Sequence, residues 1–91
     1  MISKDDKKTI QVIAKKYNAK RVLLFGSSLS SEKDSGDIDI AVEGIKHKYF
    51  FSFYGDLITS LTKPVDLIDL SGSSKFVKMI QKEGVLLYGW L

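Results

Sequence analysis

The stretch that most constrains this chain runs from Leu23 to Glu43, LLFGSSLSSEKDSGDIDIAVE. An apolar run, Val22 to Phe25, stops at Gly26-Ser27, a serine-rich polar loop follows, and the chain then enters DIDIAV with Asp37 and Asp39 at alternate positions. Side chains alternate across a strand, so Asp37 and Asp39 share one face while Ile38, Ile40 and Val42 take the other. Two carboxylates side by side on an otherwise apolar strand repel each other and are costly to desolvate. A cation resolves both problems, and a hard divalent metal with oxygen ligands fits the donor set.

Composition limits what can surround that stretch. The 91 residues are enough for a single domain, 1–91. Hydrophobic residues at 44% and charged residues at 27% exclude wholesale disorder. The net charge of +3 is only mildly basic. Lys7, Lys8, Lys15, Lys16, Lys20 and Arg21 crowd the N-terminal fifth, where they read as a solvated helix face and not as a nucleic-acid stripe. There is no cysteine, so disulfides and thiolate metal sites are excluded, in keeping with a reducing cytoplasm. MISKDDKK has no apolar signal-like core, and no run approaches the length of a membrane span, so neither export nor membrane association is expected.

In chain order, Ser3 with Asp5 and Asp6 marks a helix start, and Ile10, Ile13, Ala14 and Tyr17 recur at helical spacing over roughly residues 4–18, with Asn18 as a left-handed cap. Lys20 to Phe25 reads as a buried strand. Gly26 permits a tight turn, and Ser27-Ser28 can open a short helix whose free N–H groups make an anion site. Gly-Ser is common at ordinary strand-to-helix turns, so the turn alone is not diagnostic. Phe50, Phe53, Tyr54, Leu57, Ile58 and Leu61 form a helical stripe over residues 47–62, expected to cover one sheet face. Tyr49 and Phe51 fall outside it and leave apolar surface for a dimer or partner contact. His47, among lysines, reads as solvated. Pro64 ends that helix and starts VDLIDL, in which Asp66 shares a face with Ile68 and interrupts what reads as a buried strand. Phe76, Val77, Met79 and Ile80 make a last helix ended by Gly84. Val85 to Tyr88 follows as an edge strand, and Trp90 and Leu91 pack back or meet a partner.

The expected architecture is α/β: a small mixed sheet covered by helices. If the strands are neighbours, Asp37, Asp39 and Asp66 converge at one sheet surface with the Gly26-Ser27 turn at its end. An anion cradle beside metal-binding carboxylates is what phosphoryl or nucleotidyl transfer requires.

Phe25-Gly26-Ser27, Asp37-Ile38-Asp39 and Val65-Asp66-Leu67 resemble the hydrophobic-GS…DxD…D pattern of the DNA polymerase β-like nucleotidyltransferases. Within that superfamily the short chain resembles the minimal nucleotidyltransferases, the MNT half of MNT–HEPN toxin–antitoxin pairs, over nearly its whole length. The resemblance implies the polymerase β-like fold, ATP as donor and two Mg²⁺ ions. It implies that Asp37 and Asp39 bind both metals, that Asp66 ligates the catalytic metal and helps deprotonate the acceptor, and that Gly26, Ser27 and Ser28 hold the β- and γ-phosphates. The implied reaction is transfer of AMP to a hydroxyl of a helical HEPN toxin. The pattern departs from GSxARG, because Gly26 to Ser31 reads GSSLSS with Ser30 at the arginine position and Ser31 at the glycine, and the loop to the DxD is one residue short. That removes a fixed bidentate charge, for which Lys33 is the candidate substitute. The alternative is the same fold acting as a catalytically weak or inactive antitoxin that occludes its partner.

Overall fold

The computed structural model describes residues 2–26, 37–72 and 74–89. Helix α1 (Lys4–Lys16) begins at Ser3, whose hydroxyl accepts the Asp6 N–H at 3.1 Å, and Asn18 beyond its end takes a left-handed φ of 57°. Strand β1 (Arg21–Leu24) and strand β2 (Ile38–Glu43) run antiparallel, with Leu24 opposite Ile40. Helix α2 (His47–Ser60) returns the chain to the start of strand β3 (Val65–Asp69), which pairs parallel with β2. Helix α3 (Lys75–Glu83), capped by the Ser74 hydroxyl, leads to strand β4 (Val85–Gly89), antiparallel to β1. The sheet order is β3-β2-β1-β4.

Strand alternation sorts the apolar side chains into two cores. Val22, Leu24, Ile38, Ile40, Val42 and Val65 face α1 and α2, which contribute Ile10, Ile13, Ala14, Phe53 and Leu57. Leu23, Ala41 and Leu70 face the other way, onto Val77 and Ile80 of α3. The result is a three-layer α/β arrangement, as the hydrophobic pattern predicts. In β4 the register shifts opposite Val22 and Leu23, so the consecutive residues Leu87 and Tyr88 both pack toward α1 and α2. Gln11 of α1 donates to the Leu87 carbonyl at 2.9 Å, which ties that helix to the irregular strand.

Three expectations need correction. The third strand is an edge strand and not an interior one: only Val65 of its residues is buried, so Asp66 reaches solvent without breaking a core. In the aromatic helix Phe53, Leu57 and Leu61 are buried, but Ile58 is 49% exposed, because a stripe spanning both i+7 and i+8 is wider than the surface the sheet offers. In the last helix Val77 and Ile80 carry the packing, and Phe76 and Met79 lie on the exposed side. Trp90 and Leu91 lie outside the described residues. Among the described residues, no helix is long and apolar enough to cross a membrane.

Candidate active site

The two sheet pairings place Phe25, Asp39 and Asp66 in one row. Asp39 stands directly opposite Asp66 in the parallel β2–β3 register. Opposed residues in neighbouring strands project to the same face, and the following pair, Ala41 and Ile68, packs on α3. The carboxylates of Asp39 and Asp66 therefore belong to the α3 side of the sheet, at the end where β2 and β3 begin. Asp37 precedes β2 by one residue and is exposed. On the other flank the Phe25 N–H donates to the Asp39 carbonyl at 3.0 Å, which continues the β1–β2 ladder one step past Leu24.

Gly26 closes the row. Its φ is +63°, a conformation that side-chain-bearing residues rarely adopt, and a Cβ built there would lie 2.8 Å from Asp39 Oδ2. The glycine thus lets the backbone turn against the Asp39 carboxylate. Ser27, Ser28 and Lys33, the remaining residues of the expected phosphate cradle, lie outside the described residues, as do Ser30 and Ser31.

Asp66 is placed by several contacts around the entry to β3. The Ile38 N–H donates to the Pro64 carbonyl at 2.8 Å, and the Tyr54 hydroxyl donates to the Val65 carbonyl at 3.3 Å. One step earlier, Thr62 donates through its N–H and its hydroxyl to Asp6, at 3.3 and 2.5 Å. Asp6 is 4% exposed, and the sequence shows it only as a helix-start acid; its spacing from Thr62 carries no local signal. A buried carboxylate with hydrogen-bond donors pins the first turn of α1 to the loop that delivers Asp66.

Asp69, the other acidic residue of VDLIDL, is not part of the row. It sits opposite Val42 at the far end of β3, where its carboxylate accepts the Ser71 N–H at 2.9 Å. Among the described residues, no three acidic or imidazole side chains are drawn into a ready-made coordination cluster. Asp39 and Asp66 share a face, and Asp37 stands at the entry to β2 on the same end of the sheet. The set offers hard oxygen donors on two adjacent strands beside a turn, which fits Mg²⁺ and not a soft metal.

Residues 7–89 match the family model described as polymerase beta, nucleotidyltransferase. The chain belongs to that nucleotidyltransferase family. No curated protein matches the sequence. Solved structures with the same fold include a toxin–antitoxin complex with AMP-PNP, at 24% identity and a TM-score of 0.74 over 92% of this chain and 73% of that one. A tri-AMPylated HEPN toxin in complex with MNT antitoxin from Shewanella oneidensis aligns at 24% identity and a TM-score of 0.70, covering 93% of this chain and 71% of that one. A mutant of the toxin–antitoxin MntA-HpeT aligns at 26% identity and a TM-score of 0.70, over 92% and 72% of the two chains. This member of the family thus has the fold of the MNT antitoxins, with Asp37-Ile38-Asp39 and Asp66 at the sheet end just described.

Proposed function

We propose that the chain is a Mg²⁺-dependent nucleotidyltransferase that moves AMP from ATP to a hydroxyl of a helical HEPN-type toxin, as the antitoxin of the pair. The observation that carries this reading is the direct opposition of Asp39 and Asp66 on one sheet face beside the Gly26 turn. Bound Mg²⁺ would neutralise the phosphate oxygens, with Asp37 and Asp39 as the ligands of both ions and Asp66 as a ligand of the catalytic one. Gly26, Ser27 and Ser28 would hold the β- and γ-phosphates through backbone donors, with Lys33 as a point charge in place of the family arginine. Asp66 would accept the proton of the acceptor hydroxyl as its oxygen attacks the α-phosphorus. The bond to the β-phosphate breaks, and pyrophosphate leaves. The neighbours solved with AMP-PNP and with an AMPylated HEPN toxin support ATP as donor and a toxin as acceptor.

The test is incubation with Mg²⁺, labelled ATP and the helical partner. The wild-type chain should label the partner and silence it only after labelling. Asp66→Asn should abolish transfer while nucleotide still binds. If Asp66→Asn silences the partner at stoichiometric ratio, inhibition is by contact. The exposed Tyr49 and Phe51, the latter 83% exposed, are then the surface to mutate.

A further inference from the structure

An aromatic pair borders the carboxylate row, and the transfer chemistry makes no use of it. Phe25 stands opposite Asp39 across the β1–β2 pair, where side chains share a face with Cβ atoms about 4.5–5.5 Å apart. Phe76 of α3 meets Phe25 edge-to-face, with ring centroids 6.0 Å apart and planes at 83°. Phe25 is half-buried against the α3 core, whereas Phe76 is 47% exposed. The packing of α3 is carried by Val77 and Ile80, so the core does not require a ring at position 76. The edge-to-face contact orients the Phe76 ring, and the residue remains half-exposed. Met79, one turn further along the helix and also exposed, extends the apolar surface with a pliable side chain.

The position of this platform decides what it suits. It lies on the carboxylate face of the sheet, one side chain beyond Asp39, and the base of a nucleoside triphosphate hangs one ribose beyond its α-phosphate. We propose that Phe76, oriented by Phe25, is the stacking platform for the nucleobase of the donor nucleotide. This rests on the nucleotide-transfer reading above. Stacking tolerates any base because each has a π face, and the larger purine ring covers more of the platform. Tyr49 and Phe51 are on α2, across the sheet, and remain available for a protein partner.

Calorimetry with Mg-ATP, Mg-CTP and Mg-tripolyphosphate tests the platform, since tripolyphosphate has the charges without the base. The wild-type chain should bind ATP more tightly than CTP or tripolyphosphate. Phe76→Ala should weaken ATP about tenfold, within the range of one base–ring stack, and leave tripolyphosphate unchanged. Phe76→Trp should restore ATP binding, and Phe51→Ala should alter neither ligand. Circular dichroism of Phe76→Ala should show an intact fold, because the ring is half-exposed. Equal losses for ATP and tripolyphosphate, or no loss for either, would overturn the platform while leaving nucleotide transfer standing. So would weaker capture of the helical partner by Phe76→Ala with unchanged ATP affinity, which would make the pair a protein contact. A wild-type chain that binds neither ATP nor tripolyphosphate would overturn both readings.

Discussion

Gly26 is the residue at which backbone geometry and site chemistry meet. The left-handed φ of +63° costs a non-glycine residue about 1–2 kcal/mol, and the added Cβ would press on Asp39 Oδ2 at 2.8 Å. Gly26→Ala should therefore lower stability in urea by about 1–2 kcal/mol and weaken Mg-ATP binding at the same time, since the Asp39 carboxylate must move aside. Loss of stability with full nucleotide affinity would show that the carboxylate is free to rotate away. Asp6 shows the opposite relation of residue to site. It is remote in sequence from every carboxylate of the row, yet through Thr62 it fixes the loop that leads into β3.

At the scale of elements, two surface ion clusters join neighbours away from the row. Glu43 of β2 stands opposite Arg21 of β1 and accepts from Arg21 Nε at 2.8 Å, with Lys20 Nζ at 3.3 Å. Burial pushes the Glu43 carboxyl upward, but the hydrogen bonds from Arg21 and Lys20 outweigh it and hold the group below its ordinary value. Asp56 of α2 accepts from the Tyr17 hydroxyl at 2.8 Å and from Lys16 of α1 at 3.0 Å, and these two bonds, the tyrosine's first, lower its pKa. The same bond to Asp56 raises both Tyr17 and Lys16. The signs give a plateau. The carboxyls bind protons more readily in the unfolded chain, so their contribution is present above the ordinary carboxylate range and is lost as the pH falls through their depressed values. Tyr17 and Lys16 hold their protons more tightly when folded, so their contribution is complete below the ordinary phenol and ammonium ranges and is lost above them. Urea unfolding across pH should show this plateau. Glu43→Gln should flatten its acid shoulder while costing less than about 1 kcal/mol at neutral pH, as expected of a partly exposed pair. An unchanged acid shoulder would mean that Glu43 is not paired in solution.

For the whole molecule, the sheet order makes the site a meeting of strands that are distant in sequence. The parallel β2–β3 pair sets Asp66 directly against Asp39, and Asp66 is exposed on an edge strand, so its charge is not needed for the core. Asp66→Asn in metal-free buffer should have an unchanged or slightly raised melting temperature. A marked fall would assign Asp66 a structural partner. A saturating ligand at 100 times its dissociation constant adds about 2.7 kcal/mol, which in a domain of this size shifts the melting temperature by roughly 10 °C or more. Mg-ATP should produce such a shift in the wild-type chain, and Asp39→Asn should reduce it strongly.

The sequence by itself determined the elements, the two-faced sheet and the residue types of the site. Alternation puts Asp39 and Ala41 on one face and Ile38, Ile40 and Val42 on the other, and that pattern reads directly from DIDIAV because side-chain direction in a strand is a local property. The cap at Ser3, the left-handed Asn18 and the breaks at Gly44 and Pro64 are local in the same way. What only the tertiary structure decided is pairing and exposure. That Asp66 stands opposite Asp39, that Phe25 flanks it and that Asp6 reaches Thr62 depend on register between segments tens of residues apart, and no local pattern encodes that register. Exposure follows the same rule. Phe76, Met79 and Ile58 carry core-like chemistry at core-like spacing, and they lie outside the core because each helix turns only one narrow face to the sheet, Val77 and Ile80 in α3 and Phe53 and Leu57 in α2.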